Sequence, residues 1–197
     1  MIRARVLSLL FSLALLFSLS GCGINNIPTY DEEVKAAWSQ VLNQYQRRAD
    51  LVPNLVNTVK GFAAQEKEVL TAVTEARASV SQMKLPENIL SDKEAFAQFQ
   101  ARQAQLGSAL SRLMLVVERY PELKSNQNFL ALQSQLEGTE NRISVARRDY
   151  IQAVQKYNTE LRTIPGRWWH SLLYAEMELR ENFSVEESVT ETPQVQF

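Results

Sequence analysis

The fold class that the sequence predicts is all-α: an antiparallel bundle of four long segments, preceded by a short apolar leader. Three observations lead there. Of 197 residues, 45% are hydrophobic and 22% charged, with only 6 Gly and 6 Pro, which fits a globular core and rules out collagen-like, disordered and polytopic membrane chains. Pro28, Pro86, Pro121, Pro165 and Pro193 fall between apolar-periodic stretches, and only Pro53 falls within one. Between those prolines the apolar residues recur with a mean step of about 3.5 residues, the period of helices that pack lengthwise.

The leader comes first. Arg3 and Arg5 precede the run 6–19, in which only Ser8, Ser12 and Ser18 are polar. At about 14 residues it falls short of the roughly 20 that span a bilayer as a helix, and it has the form of a secretory signal. Leu19-Ser20-Gly21-Cys22 follows and resembles the bacterial lipobox, in which small residues admit a signal peptidase to the bond before a Cys that becomes acylated. Cys22 is the only cysteine; the bland alternative is a small buried hydrophobe. Cleavage before Cys22 leaves 197 − 21 = 176 residues and removes two cations, so 19 basic groups face 22 acidic ones. A mildly acidic body does not adhere by polybasic attraction, and acyl chains, at about 0.8 kcal/mol per buried CH₂, are the expected anchor. Likeness to bacterial lipoproteins implies multiple acylation and export. With Gly23 in place of a retention Asp, it implies the outer membrane facing the periplasm in a diderm, otherwise the outer leaflet of the cytoplasmic membrane. The expected division is a signal peptide over 1–21, a lipidated linker over 22–30, the bundle over 31–180 and a flexible acidic tail over 181–197.

The first seam runs from Val34 to Val80 in heptads, with twelve of fourteen positions apolar and Arg48 and Glu66 the exceptions. Its phase continues through Pro53 and Gly61, which predicts one kinked helix of about 70 Å. Burial favours instead a reversal at Pro53 with Asp50 as N-cap. A second stripe from Phe96 to Tyr120 predicts a helix over about 92–120. A third, with Phe129, Leu136, Ile143, Tyr150, Tyr157 and Ile164 spaced by seven, predicts one over about 126–163. Thr29-x-x-Glu32 and Ser91-x-x-Glu94 have capping-box form. The second helix is too short to cover the whole of the first. Residues 31–49 then expose an apolar stripe at about 25 cal/mol per Å², unless a reversal at Pro53, the carboxyl-terminal region or a partner chain covers them.

Few residues here suit chemistry. Lys+Arg 21 against Asp+Glu 22 supplies no excess for a phosphate backbone, so no nucleic-acid partner is expected. One Cys and one His make neither a zinc set nor a catalytic dyad; no catalytic, cofactor or metal residue is predicted. Charges on apolar seams are the exception. Arg48, Glu66, Glu140 and Arg147 are expected to pair across helices and set register. The functional alternative is an anion or peptide-carboxylate site built from Arg47, Arg48, Arg147 and Arg148. Asp50 and Asn54 lie four apart, on one face if the helix continues, where Asn54 satisfies a carbonyl freed by Pro53. The amphipathic cluster Arg167-Trp168-Trp169-His170 suits a bilayer interface or closure of the bundle end.

Several runs together resemble one family: Ala37-Trp38-Ser39-Gln40, Arg47-Arg48-Ala49-Asp50-Leu51-Val52-Pro53-Asn54-Leu55-Val56, Thr58-Val59-Lys60-Gly61 and Val73-Thr74-Glu75-Ala76-Arg77. Glu118-Arg119-Tyr120-Pro121-Glu122-Leu123-Lys124, Glu137-Gly138-Thr139-Glu140-Asn141-Arg142-Ile143, Ala146-Arg147-Arg148-Asp149-Tyr150 and Tyr157-Asn158-Thr159 follow in order. Over about residues 31–165 the chain resembles a LemA-family protein, and Pro193-x-Val-x-Phe197 also fits. The resemblance implies an antiparallel helical bundle on the outer side of a bacterial membrane, with no established enzymatic activity. Two departures stand out: a lipobox replaces the usual amino-terminal transmembrane helix, and Ile151 stands where the pattern has Asn. The expected function is a non-enzymatic envelope lipoprotein, a helical scaffold or adaptor for other envelope proteins. Cell-wall hydrolysis and self-association into a homo-oligomer are the alternatives.

Overall fold

A computed structural model describes residues 23–183. The described chain is helical, with no strand among the described residues. It forms α1 (Asn26–Phe62), α2 (Lys67–Ser81), α3 (Lys93–Val117), the single turn α4 (Pro121–Lys124), α5 (Gln127–Arg162) and α6 (Gly166–Leu173). The 37-residue α1 and the 36-residue α5 pair antiparallel along their length, about 55 Å, and make the largest contact in the molecule. At the distal end the chain turns back as α2, which packs on α1 and α3.

The first rod ends neither at Val80 nor at Pro53. α1 continues through Pro53 and stops at Phe62; the reversal occupies 63–66. A connection of about one helical turn leaves the heptad phase nearly intact, which is why periodicity alone runs across it. Pro53 is tolerated because it faces solvent and because the carbonyl it strips of a donor finds another. Ala49 O, four residues back, accepts from Arg77 Nε of α2 at 3.4 Å. Asn54 does not serve it: that residue is exposed and its own carbonyl accepts from Thr58. Asp50, expected as a possible cap, is exposed and accepts from Gln46 within the same helix.

The helix starts also differ in detail. α1 begins at Asn26, inside the expected linker, and takes Pro28 into its first turn, where a missing N–H costs no intrahelical bond. Thr29 therefore lies within the helix and donates to Asn25 O at 2.7 Å instead of capping. At α3 the cap is Asp92, whose carboxylate accepts from the N–H groups of Glu94 and Ala95, both at 3.0 Å; Ser91 bonds back to Asn88. Asn126 caps α5 at Phe129 N.

Two apolar cores are stacked along the bundle. The distal one gathers Val52, Leu55, Val59, Leu70, Val73, Leu106, Leu110, Leu113 and Phe129. The proximal one gathers Ile27, Val34, Trp38, Val41, Tyr45, Phe96, Phe99, Tyr150, Val154 and Tyr157. The stretch that helix lengths leave uncovered, 31–49, is covered by the carboxyl-terminal region. After α6 and a turn at 175–176, residues 177–183 run as a strap along the proximal half. Its anchored part reaches Phe183, so a boundary at 180/181 falls inside the strap. Gly166 sets how closely α6 turns back on the end of α5: a Cβ there would lie 2.1 Å from Glu160 O, a separation no side chain tolerates.

Candidate functional site

Between the two cores sits a polar node. Arg48 enters it from the α1 seam, 4% exposed, and its guanidinium lies 5.0 Å from the Tyr45 ring centroid. Nη1 pairs with Glu140 of α5 at 3.2 Å, and Nη2 donates to both Gln103 O at 3.0 Å and Gln103 Oε1 at 2.7 Å on α3. One fork thus fastens three helices at one level, the geometry that makes arginine the residue for such a junction. Burial pushes the Tyr45 phenol above its ordinary value, against the opposing charges of Arg147 and Arg48.

The other seam charges end elsewhere. Glu66 lies in the distal turn, where its carboxylate pairs with Arg119 at 3.1 Å and accepts from Tyr120 OH at 2.7 Å; that bond raises the Tyr120 pKa. Arg147 meets no carboxylate among the described residues and covers the Phe183 ring at 4.4 Å. The structure therefore brings Arg48 to Glu140 and sets Arg147 beside the same Tyr45 phenol, but does not gather the four arginines, since Arg148 lies beside Asp149 and Arg47 is exposed. Cys22 lies outside the described residues.

The strap creates the most elaborate polar surface, and its residues were not singled out by sequence pattern. Tyr157 OH donates to Glu178 O at 3.0 Å and Tyr150 OH to Glu181 O at 2.8 Å. Asn158 holds the main chain of Arg180 by two bonds, Nδ2 to O and Oδ1 from N, each 2.9 Å, and Glu181 N donates to Leu90 O at 2.7 Å. Arg180 then reaches through to Asp31, 2% exposed, with Nη2 at 2.6 Å and Nε at 3.0 Å from Oδ1, while Lys35 takes Oδ2 at 2.9 Å. Burial alone would raise the Asp31 pKa, but the bonds and charges of Lys35 and Arg180 outweigh it and hold the carboxyl below its ordinary value. Burial pushes the Tyr157 phenol up to about 12 and lifts Tyr150 as well. Both hydroxyls stay protonated donors across the physiological range.

At the strap's end Phe183 closes an aromatic box with Trp38, Phe96 and Tyr150, its ring centroid 6.3, 5.2 and 5.4 Å from theirs. The one signal in the sequence for this clasp is the choice of Tyr at seam positions 150 and 157, where a leucine would pack equally well and donate nothing. Two shallow clefts flank the loop after α2. One, about 370 Å³, lies among Lys35, Trp38, Ser39, Pro86, Glu87 and Arg180; the other, about 260 Å³, among Asn43, Gln46, Ser81, Met83 and Gln103. His170 Nε2 is bonded to Met177 O at 2.9 Å, and no group of three His, Cys, Asp or Glu side chains is gathered among the described residues.

Fold and clasp together define an elongated antiparallel bundle that holds an extended segment of main chain in a groove beside α1 and α5. Residues 37–197 match the LemA family, and the chain belongs to it. Among curated proteins it is similar to the magnetosome proteins MamQ 1 and MamQ 2 of Paramagnetospirillum magneticum, 27% identical to each over 86% of this chain and 67% of theirs. It is also similar to protein LemA of Metamycoplasma hominis, 23% identical over 71% of this chain and 59% of that one. Neither the family description nor these names denote an enzymatic activity.

Proposed function

We propose that this LemA-family protein is an exported envelope lipoprotein, held to a membrane by acylated Cys22, whose helical body is a non-enzymatic scaffold for other envelope proteins. The carrying observation is the clasp. Tyr150, Tyr157 and Asn158 fix the main chain of the protein's own residues 178–181, and this sets Arg180 in the wall of the larger open cleft beside Lys35, Ser39 and Glu87, a surface on which another protein can seat. The anchor is supported by the lipobox and by position: Cys22 stands four residues before α1.

Intact-mass measurement on the native protein tests the anchor. The expected product lacks residues 1–21 and carries fatty acyl mass on Cys22; a free thiol or a retained leader overturns it. Photo-crosslinking in cells from Ser39 and Gln46, exposed residues lining the two clefts, tests the scaffold. Reproducible adducts with one or more envelope proteins are expected. Adducts with itself alone replace the adaptor by a homo-oligomer. Turnover of peptidoglycan fragments that one carboxylate-to-amide change abolishes replaces it by a cell-wall hydrolase.

A further inference from the structure

The proximal end of the bundle carries an apolar face that the described residues leave bare. On α6, Trp168 is 57% and Leu172 72% exposed; four residues apart, they lie on one helical face, with Leu173 at 52% beside them and Ile164 at 65% just ahead of the helix. The opposite side of α6 is committed to the protein, since Trp169 packs on the proximal core and His170 holds Met177 O. Exposed Arg162 and Arg167 flank the bare face.

Where the chain leaves this end identifies the occupant. Gly23, the first described residue, adopts φ +94, and a Cβ on it would lie 3.7 Å from Pro165 Cγ, directly beside the lead-in to α6. Asn26 Nδ2 ties the same corner to Glu160 at 3.2 Å. The residue before Gly23 in the sequence is Cys22, the proposed point of attachment. Bare tryptophan and leucines, flanking arginines and the departing tether therefore share one end, about 55 Å from the other.

We infer that α6 lies in the lipid–water interface and stands the bundle on its membrane by that end. Trp at headgroup depth, Leu and Ile below it and Arg beside lipid phosphates is the arrangement interfacial helices adopt. The tether makes docking intramolecular, so a face too small to bind vesicles from solution is enough once Cys22 is anchored. The inference rests on the anchored reading proposed above.

The test uses the full acylated protein in phosphatidylethanolamine–phosphatidylglycerol vesicles. Acylation blocks Cys22, so Leu172→Cys supplies the single thiol for a spin label at a site whose exposure leaves the fold undisturbed. Leu115→Cys, equally exposed at 71% but near the distal end of α3, is the control. Collisions with oxygen and with a water-soluble nickel chelate report depth. The expected result is an oxygen-to-nickel ratio several-fold higher at position 172 than at 115. Flotation with an aqueous label at 172 overturns this inference and leaves the anchor standing, whereas failure to float overturns both. A label at 172 shielded from both reagents puts protein, a second copy included, on this face and overturns it too. Lipid exposure at both positions lays the bundle flat and excludes standing on end.

Discussion

Asp31 shows how one buried carboxylate couples the strap to the bundle. Its folded pKa lies below the ordinary value, so the contribution is present in full above pH about 4 and is lost as pH falls through the lower folded value. Urea midpoints should therefore drop on acidification below about pH 4, and Asp31→Asn should be less stable at pH 7 with a flatter acid limb. An unchanged acid limb would show that other carboxylates set it. Arg48 makes a second, asymmetric case. Glu140 is 45% exposed and rehydrates when its partner goes, whereas Gln103, 5% exposed, does not. Glu140→Ala should be the costlier change, about 3 kcal/mol or more, because it strands the buried Arg48 guanidinium without its counter-charge, and Arg48→Met about 1–2 kcal/mol, chiefly through the orphaned Gln103 carboxamide. Arg48→Met/Gln103→Leu should recover much of that loss in the same unfolding measurement. Equal costs for Arg48→Met and Glu140→Ala would refute the asymmetry.

At the scale of elements, α3 and α5 were legible to within three residues of their ends, because a side-chain cap starts each and the apolar stripes stop where the helices do. α1 was less so. Heptad phase reports which face is apolar and is blind to a compact reversal that conserves it, so the break at 63–66 is invisible to it. The repair of Pro53 is equally non-local: nothing near position 53 points to Arg77, which reaches Ala49 O from α2. A double-mutant cycle exposes the coupling. Pro53→Ala restores the missing N–H at an exposed site and should stabilise by about 1 kcal/mol. Arg77→Met should destabilise the parent by about 1 kcal/mol and the Pro53→Ala background by less, since the carbonyl then has its own donor. Equal penalties in both backgrounds would remove Arg77 from the account of the kink.

For the whole molecule, the strap decides whether the proximal half is covered. Phe183 touches Trp38, Phe96 and Tyr150 at once, and Arg147 caps its outer face. Phe183→Ala should cost about 2–4 kcal/mol and shift the emission of Trp38 to the red as water enters the box. A stability within experimental error of the parent would mean that the strap is dispensable to the bundle. By itself the sequence determined the helical class, the apolar faces of the long segments and the family. Each of these is a property of spacing or composition along one chain. Only the tertiary structure decided where the first rod folds back, which charges meet, and what covers 31–49. Those outcomes depend on groups 28 to 149 residues apart, such as Arg77 with Ala49 and Arg180 with Asp31, and a local period holds no record of such distant partners.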